Sequence, residues 1–191
     1  MTPSSRVDRL VVLLDRDGVL NVDRAASVRS VADLEVVPGA REATARLHAA
    51  GFTLVVVTNQ ACVGRGELTE SGLREINAEL NERLGGVIAE WLVCPHTPAE
   101  GCECRKPRTA LLERAQQAWG FDPAATWFVV DDDRDIEAAL RFGCRPALVR
   151  TGKGARTAAS RGDVAVYDDL AAFADALITV APDDVGRQPA G

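Results

Sequence analysis

The chain has 191 residues, of which 47% are hydrophobic and 26% are charged, and its formal net charge is -6 at pH 7. This length and balance indicate one globular domain with a substantial core and exclude an intrinsically disordered chain. The negative charge argues against nucleic-acid binding, which needs a basic surface. The opening MTPSSRVDRL contains neither a long apolar run nor a small-residue cleavage site. We therefore expect a cytoplasmic, monomeric protein with no membrane segment.

Short apolar segments rich in β-branched residues recur along the chain and predict four strands. They cover residues 10–15, 53–59, 126–132 and 146–151. Near-continuous apolar runs of this kind are typical of parallel strands that helices cover on both faces.

Helix start and stop residues delimit four predicted helices between and after these strands. The starts carry proline, threonine or acidic residues, and three of the four ends carry glycine. The predicted helices run from Pro38 to Gly51, from Thr69 to about Leu84, from a cap at Thr109 to Gly120, and from near Arg134 to Gly143.

The order of these elements predicts an α/β fold with a doubly wound, Rossmann-like parallel sheet. We expect one domain over residues 1–191, with a core at about 9–180, a cysteine-rich loop at 94–104, and loose termini at 1–8 and 181–191. In such sheets the ligand crevice lies beyond the carboxyl ends of the strands. The polar residues at those ends are therefore the candidate functional residues.

The segment LLDRDGVLN places Asp15 and Asp17 two residues apart where the first strand ends. A carboxylate can attack phosphorus and carry the phosphoryl group as an aspartyl phosphate, while a second carboxylate protonates the leaving oxygen and then activates water. We assign Asp15 as the nucleophile and Asp17 as the acid/base. This role requires a raised pKa for Asp17, which we expect from burial and neighbouring carboxylates.

A second acidic cluster, which includes Asp131, Asp132 and Asp135, follows the third predicted strand. Clustered carboxylates are costly unless a hard cation neutralises them, and magnesium prefers such oxygen ligands. We expect Mg²⁺ to bind the carboxylates of Asp131 and Asp15 and the main-chain carbonyl of Asp17. Asp135 either joins this site or only places negative charge at a helix N-terminus, and Asp132 is equally open.

Phosphate-binding groups are expected at the end of the second strand and after the cysteine-rich loop. Thr58 and the main-chain N–H of Asn59 are neutral donors, and Lys106 is a compact positive charge. Together they can bind the phosphoryl group that is transferred.

The segment CPHTPAEGCEC contains three cysteines and one histidine. Cys94, His96, Cys102 and Cys104 satisfy a tetrahedral zinc ion with no open position, which predicts a structural site. Because Arg105 follows directly, zinc would hold this arginine and Lys106 over the active site. The planar guanidinium of Arg105 could then bind a second anionic group of the substrate.

The chain resembles the haloacid dehalogenase (HAD) superfamily, and within it the heptose-1,7-bisphosphate phosphatase and histidinol-phosphate phosphatase family. The resemblance rests on LDRDGVLN, VVVTNQ, CPH with CECRKP, VVDDDRDIEAA and LVRTGKG, in that order. It implies a phospho-aspartate mechanism with magnesium, a zinc loop in place of a large cap, and removal of the 7-phosphate from D-glycero-D-manno-heptose 1,7-bisphosphate. It also implies the same roles for the residues named above, with Arg105 contacting the substrate's other phosphate.

Three other interpretations compete with this one. Histidinol phosphate, another small sugar phosphate or a nucleic-acid 3'-phosphate end could be the substrate. A receiver-type phospho-acceptor domain would carry its acceptor aspartate at a later strand and would have no use for zinc. A zinc-based interaction module would leave the acidic clusters without a role.

Overall fold

The computed structural model describes residues 9–180, which form a six-stranded parallel sheet with helices on both faces. The strand order across the sheet is β3-β2-β1-β4-β5-β6, so the chain winds outward from β1 in both directions. The strands are β1 (Val11–Leu14), β2 (Thr53–Asn59), β3 (Ile88–Cys94), β4 (Trp127–Val130), β5 (Arg145–Val149) and β6 (Ala165–Tyr167). The topological switch point lies between β1 and β4, where a ligand crevice is expected.

Within residues 9–180, seven α-helices and three short 3₁₀ helices connect or follow these strands. The 3₁₀ helices are Val31–Asp33, Pro98–Glu100 and Pro123–Ala125. The α-helices are α1 (Ala40–Ala49), α2 (Ala61–Gly64), α3 (Glu70–Arg83), α4 (Ala110–Trp119), α5 (Asp133–Phe142), α6 (Gly154–Ala158) and α7 (Leu170–Val180).

The core consists of two apolar layers, one on each face of the sheet. Along β1, Val12 and Leu14 face the layer formed with α1, α3 and α7, while Val11 and Leu13 face the layer formed with α4 and α5. Successive side chains of a strand point to opposite faces, so a strand buried on both sides must be apolar throughout. The central position of β1 fixes where the residues after Leu14 lie.

The predicted α/β fold is confirmed, and each of the four predicted strands and helices has its counterpart. The edge strands β3 and β6 and the helices α2, α6 and α7 were not predicted from the sequence. Thr109 is the N-cap residue of α4, as predicted, but its hydroxyl donates to Glu113 Oε1 at 2.7 Å and does not accept from the helix backbone. The predicted loose termini lie outside the described residues.

The sequence predicts no membrane-spanning segment, and the helices of the structure can be compared with this prediction. Within residues 9–180, none is both long and apolar enough to cross a bilayer.

Candidate active site

Three carboxylates meet at the carboxyl ends of the two central strands. Asp15 follows β1, Asp131 follows β4, and Asp135 lies in the first turn of α5. Each of the three offers an oxygen within 4.8 Å of the others, and all three side chains are buried. Asp15 is tied to the neighbouring strand because its main-chain N–H donates to Val129 O at 2.9 Å. The parallel arrangement therefore brings together residues more than one hundred positions apart.

Lys106 lies among these carboxylates and is only 2% exposed. Its Nζ donates to Asp15 Oδ1 at 2.9 Å and to Val57 O at 2.8 Å, and it lies 3.1 Å from Asp135 Oδ1. Burial alone would lower the pKa of Lys106, but the charges of Asp135 and Asp15 raise it above its usual value. The side chain is therefore a fixed positive charge at the floor of the site.

One lysine does not neutralise three buried carboxylates. Burial, together with the charge of Asp15, raises the pKa of Asp131 to about 7, although the N–H of Lys153 works in the opposite direction. Burial is also the main cause of the raised pKa of Asp135, which Lys106 only partly offsets. An all-oxygen cluster with excess negative charge suits a hard divalent cation such as magnesium. The donor set thus fits the expected ion, and Asp135 is part of it.

Two glycines allow the backbone to pass close to Asp131. At Gly18, where φ is +84°, an added Cβ would lie 2.1 Å from Asp131 Oδ2, and at Gly152 it would lie 2.2 Å away. Only glycine avoids this overlap, and positive φ also favours it. Between the two turns, Asp131 Oδ2 accepts a hydrogen bond from Lys153 N at 2.8 Å. The position of this carboxylate is consequently well defined.

Asp17 has an environment that differs from the expected one. Its side chain is 23% exposed, towards the pocket, and its carboxylate pairs with Arg16 Nη2 at 3.0 Å. Burial would raise the pKa of Asp17, but the charge of Arg16 and hydrogen bonds from Asn21, Gln60 and Arg16 lower it overall. The prediction of a raised pKa is therefore wrong for this resting arrangement. The prediction did not take into account the positive charge of Arg16, which precedes Asp17 in the sequence.

Thr58 and Asn59 both lie at the end of β2, but they have different partners. The buried hydroxyl of Thr58 accepts from Gln60 Nε2 at 3.0 Å at the edge of the pocket. The amide of Asn59 forms a reciprocal pair with the main chain of Lys106, with distances of 3.1 and 3.2 Å. Asn59 thereby fastens the loop that carries Lys106 to the sheet.

The four predicted zinc ligands come together in one cluster. The distances are 3.6 Å between Cys94 Sγ and Cys102 Sγ, 3.5 Å between the sulfurs of Cys102 and Cys104, and 3.2 Å between His96 Nδ1 and Cys104 Sγ. Zn–S bonds of about 2.3 Å in a tetrahedron place two sulfurs about 3.8 Å apart. The cluster therefore has nearly the dimensions of a zinc site and needs little adjustment to bind one.

Cations surround the mouth of a pocket of about 250 Å³ above the carboxylates. Arg105 differs from the others because its contact in residues 9–180 is a hydrogen bond to the His96 carbonyl at 3.2 Å, with no carboxylate within 4.0 Å. The other mouth cations each pair with a carboxylate: Arg24 with Glu35, Arg65 with Glu67, Arg134 with Asp132, and Lys153 with Asp23 and Asp132.

Asp132 borders the same pocket but is not a member of the carboxylate cluster. It caps α5 by accepting from Arg134 N at 3.1 Å, and its side chain pairs with the guanidinium of the same arginine. Although burial would raise the pKa of Asp132, the hydrogen bonds and charge of Arg134 and the charge of Lys153 lower it well below the usual range.

Four further residues near the site were not identified from the sequence: Arg16, Gln60, Asn77 and Lys153. Arg16 and Gln60 contact Asp17, Asn77 contacts Arg16, and Lys153 contacts Asp131 through its main chain. The position of Arg16 between two candidate catalytic aspartates was the available signal. Asn77 had none, since it lies on a helix 61 residues further along the chain.

Comparisons with known proteins identify relatives of this chain in sequence and in fold. A family model described as HAD-hydrolase-like matches residues 103–173. The D-glycero-β-D-manno-heptose-1,7-bisphosphate 7-phosphatase of Pseudomonas aeruginosa is 39% identical over 178 residues, covering 90% of this chain and 99% of the relative. The crystal structure of D,D-heptose 1,7-bisphosphate phosphatase from B. bronchiseptica, complexed with magnesium and phosphate, superposes with a TM-score of 0.86. It is 36% identical and covers 89% of this chain and 98% of that one.

The corresponding enzyme from Burkholderia thailandensis superposes with a TM-score of 0.69 at 33% identity, covering 90% of this chain and 99% of that one. Fold, site and relatives together define a phosphatase of the HAD type. More narrowly, the chain belongs to the family of the D-glycero-β-D-manno-heptose-1,7-bisphosphate 7-phosphatases.

Proposed function

We propose that this protein is a magnesium-dependent phosphatase that removes the 7-phosphate of D-glycero-D-manno-heptose 1,7-bisphosphate. The observation that carries the proposal is the position of Asp15, which lies at the floor of the pocket beside Lys106 and within 4.8 Å of two further carboxylates. The substrate is suggested by the names of relatives that are similar to this chain along almost their whole length.

The chemistry we assign to this chain takes place in two steps. A carboxylate oxygen of Asp15 attacks phosphorus, and the bond to the sugar oxygen breaks as Asp17 gives that oxygen a proton. Water then attacks phosphorus in the aspartyl phosphate and transfers a proton to Asp17. The bond between phosphorus and Asp15 breaks, phosphate leaves, and both aspartates return to their starting states. The incoming phosphate dianion favours proton uptake by Asp17, because a nearby negative charge raises the pKa of a carboxyl group.

Magnesium would be held by the carboxylates of Asp15 and Asp131 and by the main-chain carbonyl of Asp17, with Asp135 beside them. When bound, the ion offsets the negative charge of the carboxylates and of the phosphoryl oxygens. Lys106 contributes a second positive charge from the protein, and Thr58 with the N–H of Asn59 would donate to the phosphoryl group. The buried excess of negative charge around Asp131 supports this arrangement.

A structural zinc at Cys94, His96, Cys102 and Cys104 is also proposed. The support is the close approach of the four ligand atoms. Metal binding in short peptides is worth about 10 to 16 kcal/mol, enough to order a loop that lacks its own core. Zinc would therefore keep Arg105 and Lys106 at the pocket.

Arg105 gives the choice of a bisphosphate a physical basis beside the names of the relatives. A cation at the pocket mouth without a carboxylate partner is available to a second anionic group of the ligand, whereas the paired cations would first have to leave their partners. A bidentate contact of this type is worth about 1.5 to 3 kcal/mol. A pocket of about 250 Å³ also suits a small phosphorylated sugar. The single-domain organisation, the monomeric state and the cytoplasmic location stay predictions.

The proposal is tested by measuring phosphate release from a panel of phosphate monoesters with magnesium present. We expect the highest kcat/KM for heptose 1,7-bisphosphate, and ³¹P NMR of the product should show the phosphate at C1 intact. A preference for histidinol phosphate would replace this substrate with the runner-up. Absence of phosphate release from every monoester would contradict the enzymatic assignment itself.

A further inference from the structure

Arg16 lies between the two candidate catalytic aspartates, yet the proposed chemistry gives it no role. Its side chain is completely buried, which is costly for a guanidinium unless hydrogen bonds and a counter-charge compensate. The partners it has within residues 9–180 are side chains from three separate parts of the chain. Such a residue either forms an ion pair that stabilises the fold or holds one of its partners in a defined position.

The contacts of Arg16 form a fork. Nη1 donates to Asn77 Oδ1 at 3.1 Å, and Nη2 lies 2.8 Å from Gln60 Oε1 and 3.0 and 3.1 Å from the two oxygens of Asp17. Since Nη2 has only two hydrogens for three acceptors, its bond to Asp17 is shared. Arg16 therefore holds both oxygens of the Asp17 carboxylate through a single nitrogen atom.

The Asp17 carboxylate is fixed from two other directions as well. Asn21 Nδ2 donates to Oδ1 at 2.8 Å, and Gln60 Nε2 donates to Oδ2 at 2.6 Å. Gln60 therefore contacts both members of the Arg16–Asp17 pair. Asn77, on α3, accepts a hydrogen bond from Arg16, whereas the side chains that donate to Asp17 within residues 9–180 are those of Arg16, Asn21 and Gln60. The hydrogen-bonded connection from Asn77 to Asp17 therefore passes through the guanidinium.

We propose that Arg16 is a positioning residue that, held by Asn77 and Gln60, fixes the Asp17 carboxylate where it transfers a proton to the leaving oxygen. The inference rests on the proposed acid/base role of Asp17. It adds a specific dependence of proton transfer on α3, through a residue that lies behind the pocket rather than in it. Proton transfer is sensitive to distance and orientation, so loss of the anchor should slow this step more than binding.

The test uses Asn77, because removing Arg16 itself would leave Gln60 and Asn77 acceptors buried without a donor. Asn77→Ala deletes one anchor, and Asn77→Asp restores an acceptor at the same place. Glu75→Ala is the matched control, since Glu75 is exposed on the same helix. Thermal unfolding of each variant shows whether it is folded. If Asn77→Ala does not fold, Arg16→Lys is the second variant, because lysine keeps a buried positive charge but lacks the two nitrogens of the guanidinium that contact Asn77 and Asp17.

The readout is the rate of the first turnover with two leaving groups, an alkyl phosphate such as the sugar and p-nitrophenyl phosphate. An alkoxide needs protonation to leave and p-nitrophenolate hardly does, so only the first is sensitive to the acid. We expect Asn77→Ala to lower the first-turnover rate for the alkyl phosphate on the order of tenfold, with a much smaller change for p-nitrophenyl phosphate and a similar KM. Asn77→Asp should recover most of the loss.

Equal losses for both leaving groups, or rates equal to those of Glu75→Ala, would overturn the positioning role. A wrong substrate assignment gives a different result: the wild-type protein then hydrolyses p-nitrophenyl phosphate but not the heptose bisphosphate. In that case another alkyl phosphate from the panel serves for the comparison. Wild-type protein that releases phosphate from neither would contradict both the proposed function and this inference.

Discussion

Lys106 Nζ donates a hydrogen bond to Asp15 Oδ1 at 2.9 Å, and this pair links a loop after the cysteine cluster to the end of the central strand. The two side chains are 1% and 10% exposed, so their charges interact with little screening by water. In the proposed mechanism the carboxylate attacks phosphorus while the ammonium offsets charge on the phosphoryl group.

Asp15→Asn should therefore fold and lose turnover. The amide retains the shape of the carboxylate but cannot attack phosphorus, so we expect kcat to fall roughly a thousandfold or more. Lys106 keeps Asp135 as a counter-charge in this variant. Circular dichroism and phosphate release would be measured on the same preparation, and substantial phosphate release from folded Asp15→Asn would exclude Asp15 as the nucleophile.

The raised pKa of Asp131 predicts how the stability of the metal-free protein changes with pH. A carboxyl whose pKa is about 7 when folded and 3.8 when unfolded binds its proton more tightly in the native state. Stability therefore falls as pH rises between these values, by about 2 kcal/mol from pH 5 to pH 7.

Asp131→Asn removes this titration and serves as the reference. Urea unfolding in the presence of chelator should show the wild-type protein losing stability relative to Asp131→Asn over this pH range. Added magnesium should stabilise the wild-type protein at pH 7.5 more than the variant. A constant difference between the two proteins would contradict the assigned pKa.

The zinc proposal predicts one tightly bound zinc ion per chain, measured by elemental analysis of protein purified without chelators. Cys102→Ala should lose the ion, loosen residues 94–106 and reduce activity because Arg105 and Lys106 are displaced, while the sheet stays folded. Cys144→Ala is the matched control, since Cys144 is buried outside the cluster. Zinc retained by Cys102→Ala, or absent from the wild-type protein, would contradict the site.

The central strands could be predicted because burial on both faces leaves a continuous apolar run, as in β2, where the predicted and observed bounds coincide. The edge strand β3 could not, because its sequence IAEWLVC contains Glu90. That carboxylate accepts a hydrogen bond from Trp119 Nε1 at 2.6 Å, a contact that depends on the packing of α4. The three-residue β6 is too short for periodicity to identify.

The active site also has features that could be predicted from the sequence and features that could not. The meeting of Asp15 and Asp131 follows from parallel strands whose carboxyl ends lie at one edge of the sheet. The lowered pKa of Asp17 did not follow, because it depends on the direction of the Arg16 side chain and on amides from Asn21 and Gln60. Short-range geometry of this kind depends on tertiary packing, and no spacing in the sequence encodes it.

Arg105→Ala should reveal whether the substrate carries a second anion. Because Arg105 has no carboxylate partner within residues 9–180, a bound anion would gain its full charge-assisted contact. We expect kcat/KM for heptose 1,7-bisphosphate to fall about ten- to a hundredfold, with little change for a monophosphate. Arg65→Ala is the comparison, because Arg65 also borders the pocket but is paired with Glu67 at 2.7 Å, and its loss should be smaller. If Arg105→Ala lowered kcat/KM equally for both substrates, this arginine would act on the transferred phosphate or on the loop, and the argument for a bisphosphate would lose its physical basis.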